Sequence, residues 1–209
     1  MPKREAPVTS LQQFLPEGTF EPVLQYLNHY KVHLTVAKER KSILGDYRHQ
    51  THNMNHRISV NGNLNVYSFL ITLLHELAHL LTFEQYGNRV QSHGREWKNI
   101  YGQMLDQFLK NKKFPPDIEK ELLQSLKNPA ATSCAEDDLL RVLRKYDKKN
   151  GSHLLVEELP EDALFRTDDG RVFKRGKKMR KRFQCLEVKT GRVYLFSPVY
   201  EVEKIVLNN

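Results

Sequence analysis

The chain has 209 residues, 39% of them hydrophobic and 28% charged, with a formal net charge of +8, which suits one well-buried domain and a smaller second one rather than a disordered chain. Its longest apolar run is broken by two histidines and a glutamate within five positions, which argues against a membrane span, and Met1-Pro2-Lys3-Arg4-Glu5 lacks the apolar stretch and cleavage site of an export signal. Cys134 and Cys185 are too few for a disulfide framework or a cysteine-only metal site, so a reducing, cytoplasmic setting is expected.

Residues 1–10 read as a loose tail, with Ser10 capping a short helix over Leu11 to Leu15 that Pro16-Glu17-Gly18 interrupts. A second helix starts near Phe20 and runs to about His29, with Val23, Leu24, Tyr26 and Leu27 on its buried side. Lys31 to Ala37 alternates with the period of a half-buried strand. Ser42 to His49 reads as a second strand with a bend or bulge at Gly45, and Arg57 to Val60 as a third, closed by Asn61-Gly62-Asn63. Short strands followed by helices predict an α+β fold, a small sheet packed on helices.

Asn65 is a good N-cap for the next helix. From Val66 to Phe83 apolar residues lie nearly all round it, as in a buried central helix, and Gly87 is its expected stop. Gly94 to Leu109 carries an amphipathic stripe of Trp97, Ile100, Tyr101, Met104, Leu105 and Phe108. Asp117 to Leu126 is a further short helix, Asn128 to Cys134 a linker, and Glu136 to Tyr146 helical again. Strand-like runs then follow at Leu154–Glu157, Leu164–Arg166, Arg171–Lys174, Met179–Val188, Val193–Phe196 and Val199–Val206. Turns at Asp169-Gly170, Gly176 and Thr190-Gly191 separate several of them, which predicts a small antiparallel sheet or barrel. The expected organisation is a domain over 11–127, a linker and helix over 128–150, and a basic β-rich domain over 151–209.

Within the central helix stands His75-Glu76-Leu77-Ala78-His79, an H-E-x-x-H sequence. Four residues apart on a helix, His75 and His79 project from one face and can grip one zinc ion, and Glu76 can reach a water on that metal. The setting strengthens a short motif, because an unpartnered carboxylate among apolar side chains costs several kcal/mol or shifts its pKa. A catalytic zinc needs three protein ligands and one open position. Metzincin spacing would require Gly at 82 and His at 85, where this chain has Thr82 and Gln85. Glu84 lies about 140° round the helix from His79 and points away. His93, after the reversal at Gly87, can return to the metal and is the expected third ligand. His29, His33, His49, His52, His56 and His153 read as strand or loop residues, mostly exposed. Zinc would acidify water and polarise a carbonyl, while Glu76 serves as general base and passes the proton to the leaving amine. Tyr101, Arg95 and Tyr47 are candidates for stabilising the carbonyl oxygen.

The positive charge is local. Between Arg166 and Arg192 eleven basic residues face three acidic ones, so the other residues sum to neutral. Its centre is Lys174, Arg175, Lys177, Lys178, Arg180, Lys181 and Arg182, seven cations in nine residues. They are expected to contact nucleic-acid phosphates, DNA being favoured, with Phe173, Phe183 and Tyr194 available either to stack on bases or to fill the small core. The plainer reading is a solvated edge strand whose lysines deter aggregation.

His75 to His79 followed by His93-Gly94-Arg95-Glu96-Trp97, with Gly45-Asp46-Tyr47-Arg48 and Arg57-Ile58-Ser59-Val60 upstream, resembles the SprT-like metalloprotease family, to which Spartan also belongs. The resemblance spans roughly Leu24 to Phe108. It implies a zincin-like core, His75, His79 and His93 as ligands, Glu76 as general base, and cleavage of proteins trapped on DNA. The chain departs from many members of that family in lacking paired C-terminal cysteines, so a zinc ribbon is not expected there.

The sequence thus predicts a zinc-dependent endopeptidase acting on proteins at or near nucleic acid. The rival reading is a non-enzymatic nucleic-acid-associated protein with a structural zinc. The two part at Glu76, which a structural site does not need.

Overall fold

A computed structural model describes residues 7–40, 42–126, 134, 136–148 and 153–205. The chain divides into two compact units, Met1–Asp147 and Lys148–Asn209. The linker expected over 128–134 lies outside the described residues except for Cys134.

In the larger unit a 3-10 turn over Val8–Phe14 stands where a short helix was expected. Helix α1, Phe20–His29, buries Val23 and Leu27. Strands β1 (His33–Ala37), β2 (Gly45–Arg48) and β3 (Arg57–Asn61) form a sheet in the order β1-β3-β2. β3 runs parallel to β1, with Leu34 opposite Ile58, and antiparallel to β2, with Tyr47 opposite Ile58. The alternation along β3 buries Ile58 and Val60. Asn61 at its end is buried too, and its amide donates to the carbonyls of Arg40 and Ile43 while its oxygen accepts from Arg40 Nε. That exchange ties the segment leading into the edge strand β2 to the middle of the sheet.

Helix α2, Val66–Tyr86, is central. It starts where the cap chemistry predicts: Asn65 Oδ1 accepts the N–H groups of Tyr67 and Ser68 at 3.0 and 2.9 Å. It runs three residues beyond Phe83 before Gly87 ends it. Its length and mean hydropathy would suit a membrane span, but 72% of that apolar stretch is buried inside the protein. Leu70, Leu73, Leu74, Leu77 and Leu80 are fully buried, each contributing roughly 1.5–3 kcal/mol relative to exposure. Helix α3, Arg95–Lys110, packs its predicted stripe against α2. Helices α4 (Pro116–Ser125) and α5 (Asp137–Leu143) pack together. The helix grouped with the linker on sequence grounds therefore belongs to the larger unit, where Leu139 and Leu143 join the main core.

The smaller unit is a curled antiparallel sheet of β4 (His153–Leu155), β5 (Leu164–Arg166), β6 (Val172–Met179), β7 (Arg182–Glu187), β8 (Val193–Phe196) and β9 (Glu201–Lys204), ordered β4-β9-β5-β6-β7-β8. Val156, Leu159, Phe165, Phe173, Phe183, Cys185 and Val202 fill it. Two expectations are corrected here. Beyond Leu155 the chain turns into a 3-10 segment, Val156–Glu158, instead of continuing as strand. Gly176 does not break the chain before a strand at Met179 but lies within β6, where the pairing with β7 shifts register between Arg175 and Lys178. A Cβ at Gly176 would stand 2.6 Å from the Gln184 carbonyl oxygen, so the bulge needs glycine there.

Candidate metal centre and basic hairpin

One face of α2 carries His75 and His79, and the segment just before α3 returns His93 to them. The Nε2 atom of His75 lies 3.2 Å from Nε2 of His79 and 3.3 Å from Nε2 of His93. The three rings offer one ligand atom each, all within 4.8 Å of one another, and form the group able to hold a metal ion among the described residues. Burial, with the neighbouring histidines adding to it, pushes His75 down to about 3; burial and His93 push His79 down to about 4. His93 is lowered by burial and then by Lys98. The lowered proton affinities favour the neutral imidazole, the form that can ligate a metal. His75 Nδ1, the ring nitrogen turned away from the other two histidines, is buried without a hydrogen-bond partner, which costs the fold about 1–3 kcal/mol.

Trp97, in the first turn of α3, packs against all three rings. Its fully buried indole lies 4.6, 5.3 and 4.8 Å from the His75, His79 and His93 rings, centroid to centroid. The amphipathic stripe marked Trp97 as core, and spacing alone did not reveal its contact with three ligand candidates.

Beside the histidines is a cavity of about 400 Å³ between α2, His93 and the segment Ser42 to Tyr47, with Glu76 in its wall. Glu76 is buried, and its carboxyl is pushed up to about 8 by desolvation first and the nearby Asp46 second, with Arg40 opposing. Its seat depends on Gly45. A Cβ there would stand 2.6 Å from Glu76 Oε1 and 2.7 Å from Thr72 Cγ2. The glycine that sequence patterning marks as a bend is the space into which the carboxylate fits.

Of the three candidates for the carbonyl oxygen, only Tyr47 lines the cavity. Tyr101 is buried against Trp97 and His75, and Arg95 is exposed at the start of α3. Glu84 turns away from the histidines, as its helical angle requires, and its Oε1 lies 3.2 Å from His56 Nε2. His56 corrects the expectation of exposure: it is 2% exposed, with Nδ1 2.9 Å from the Tyr47 hydroxyl. His29, His33, His49 and His52 are exposed.

The basic strip occupies the β6–β7 hairpin, whose turn is Arg180-Lys181. Lys177, Lys178, Arg180, Lys181 and Arg182 are exposed around it. Lys174 pairs with Asp162 at 2.8 Å, and the Arg175 guanidinium lies over the Phe183 ring at 4.2 Å. Phe173 and Phe183 are buried in the small core, so they present no face to a nucleic-acid base. Tyr194 is half-buried against Phe173.

Comparison with known protein families matches residues 14–120, just over half of the chain, to the SprT-like family. No curated protein and no solved structure gives a match.

Proposed function

The chain belongs to the SprT-like family, and on that footing we propose that its larger unit is a zinc-dependent endopeptidase. The observation that carries the reading is the convergence of three Nε2 atoms beside a glutamate in an open cavity. Zinc–nitrogen bonds of about 2.0–2.1 Å in tetrahedral geometry place the nitrogens about 3.3 Å apart, and the two separations from His75 are 3.2 and 3.3 Å. A structural zinc is closed by four protein ligands. Here three histidines leave one side facing the cavity, which favours catalysis over the rival structural reading.

Zinc, when bound by His75, His79 and His93, would supply Lewis acidity toward water and a carbonyl. The residues of the chain do the rest. Glu76, held by Gly45, takes the proton of the attacking water and returns it to the leaving amine. Its raised proton affinity describes the metal-free site; a divalent charge nearby acts in the opposite sense. Gly45, Asp46 and Tyr47 of the edge strand β2 line the cavity, so an extended peptide pairing with that strand would lay its carbonyl beside the histidines.

In the smaller unit, the exposed cations of the β6–β7 hairpin would bind phosphates without reading sequence. DNA is the favoured partner, and proteins on DNA, crosslinked proteins among them, are the proposed substrates. The test uses the full chain, loaded with zinc and supplied with DNA. It should cleave a protein substrate or itself, and Glu76→Gln should keep zinc and DNA binding while cleavage falls by about 10²–10⁴-fold. If the unaltered protein cleaves nothing under those conditions, the endopeptidase reading is lost.

A further inference from the structure

The edge strand β2 places Tyr47 in the cavity wall, and its ring lies parallel to His79 within 5° at a centroid separation of 6.4 Å. Its hydroxyl begins a chain of hydrogen bonds. His56 Nδ1 is 2.9 Å away, and His56 Nε2 is 3.2 Å from Glu84 Oε1. Burial lowers the proton affinity of His56 and favours its neutral ring; a carboxylate only accepts, so Nε2 carries the single ring proton and Nδ1 is left as an acceptor. The direction follows: Tyr47 donates to His56, and His56 donates to Glu84. Burial of His56, its contact with the Phe83 ring and the anchoring of Glu84 on α2 fix the far end of this chain. The hydroxyl oxygen is thereby held in place, while its hydrogen remains free to turn about the Cζ–O bond.

We propose that Tyr47 is a catalytic residue whose hydroxyl donates a hydrogen bond to the substrate carbonyl oxygen as that oxygen becomes negative, with His56 and Glu84 as its positioning residues. This rests on the endopeptidase reading above. As the water oxygen bonds to the carbonyl carbon, the π pair moves onto the carbonyl oxygen and Glu76 takes the water proton. Tyr47 keeps its own proton and turns it from His56 Nδ1 to the charged oxygen. When the C–N bond breaks, the pair returns to the carbonyl, the amine leaves with the proton from Glu76, and the hydroxyl swings back. A hydrogen bond to an ionised oxygen is about twice as strong as a neutral one. The exchange is thus favourable only once charge has developed, so the contribution belongs to kcat and not to substrate binding.

The test takes the full-length, zinc-loaded protein and Tyr47→Phe, which keeps the ring over His79. Its kcat on a peptide substrate should fall about 10²–10³-fold, the usual cost of losing one such donor, with KM and zinc content unchanged. A phosphinic peptide, which carries a tetrahedral anion in place of the scissile amide, should bind Tyr47→Phe more weakly by a similar factor in calorimetry. The corresponding amide peptide should bind both proteins alike. His56→Ala should show a smaller loss of kcat, restored by His56→Gln, whose carbonyl can accept the hydroxyl. Unchanged kcat and phosphinic-peptide affinity in Tyr47→Phe would overturn the assignment, and so would a loss of activity that simply follows a loss of zinc. Failure of the endopeptidase reading looks different: the unaltered protein itself would cleave nothing.

Discussion

In the larger unit His75, Glu76 and His79 interrupt a helix in which Leu70, Leu73, Leu74, Leu77 and Leu80 are fully buried, whereas in the smaller one Phe165, Phe173 and Phe183 are inside and Lys177, Lys178, Arg180, Lys181 and Arg182 stand in water. The physical consequences differ. Taking ionisable groups out of water costs several kcal/mol unless they stay neutral or are paired, so a partner at this set has a cost to offset. A solvated cation costs almost nothing, and lysines on exposed β structure also serve to prevent aggregation. The central helix therefore favours a ligand, while the hairpin only permits one.

The largest test of this contrast is the stability of the metal-free protein against pH. Burial and Asp46 raise Glu76 from 4.5 to about 8. The folded state thus holds that proton more tightly than the unfolded chain, and the stability it contributes below pH 4.5 is lost as pH rises through about 8. The histidines run the other way. His75 and His79 are lowered from 6.5 to about 3 and about 4, so their contribution is present above 6.5 and lost as pH falls below it. Chelator-treated protein should be most stable near neutrality and lose on the order of a few kcal/mol toward either side. Glu76→Gln should remove the alkaline loss and leave the acid loss. A flat profile in thermal unfolding would mean that these groups are not buried as described.

Gly45→Ala comes next. The added methyl group would displace the Glu76 carboxylate, and a misplacement of about 1 Å costs about 10²-fold in rate. Zinc content should not change, because the three histidines are untouched. Activity equal to the unaltered protein would show that Glu76 has a second productive position.

The smallest effect is expected at the hairpin. Replacing Lys177, Lys178, Lys181 and Arg182 by Ser should weaken DNA binding and reduce the slope of log K against log salt by about 0.9 for each phosphate no longer neutralised. Zinc content and peptide cleavage without DNA should be unaffected. Unaltered affinity, measured by fluorescence anisotropy across a salt series, would return these cations to the role of a solvated turn.

Much of the larger unit was legible because its signals are local. Asn65 announces the start of α2 through its own side chain, and the apolar residues around that helix announce its burial. What was not legible depends on distant pairs. Nothing near Gly45 in sequence says that its missing Cβ makes room for a carboxylate on another element. His56 looked like a loop histidine because its two partners, Tyr47 and Glu84, come from a strand and the end of a helix. In the smaller unit a glycine among cations is compatible with a turn or a bulge, and only the pairing of β6 with β7 decided for the bulge, moving the turn to Arg180-Lys181. The same pairing buried Phe173 and Phe183 in the core.

The sequence by itself determined that His75 and His79 share one face of α2 and that the net positive charge is confined to one short stretch, because helical spacing and formal charge are properties of neighbouring residues. His93 was accessible from it only through the reversal at Gly87. The tertiary structure alone decided which glycine admits Glu76, which tryptophan packs against the three imidazoles, and which tyrosine faces the cavity. Those are matters of distance between elements far apart in the chain, and no local pattern encodes such distances.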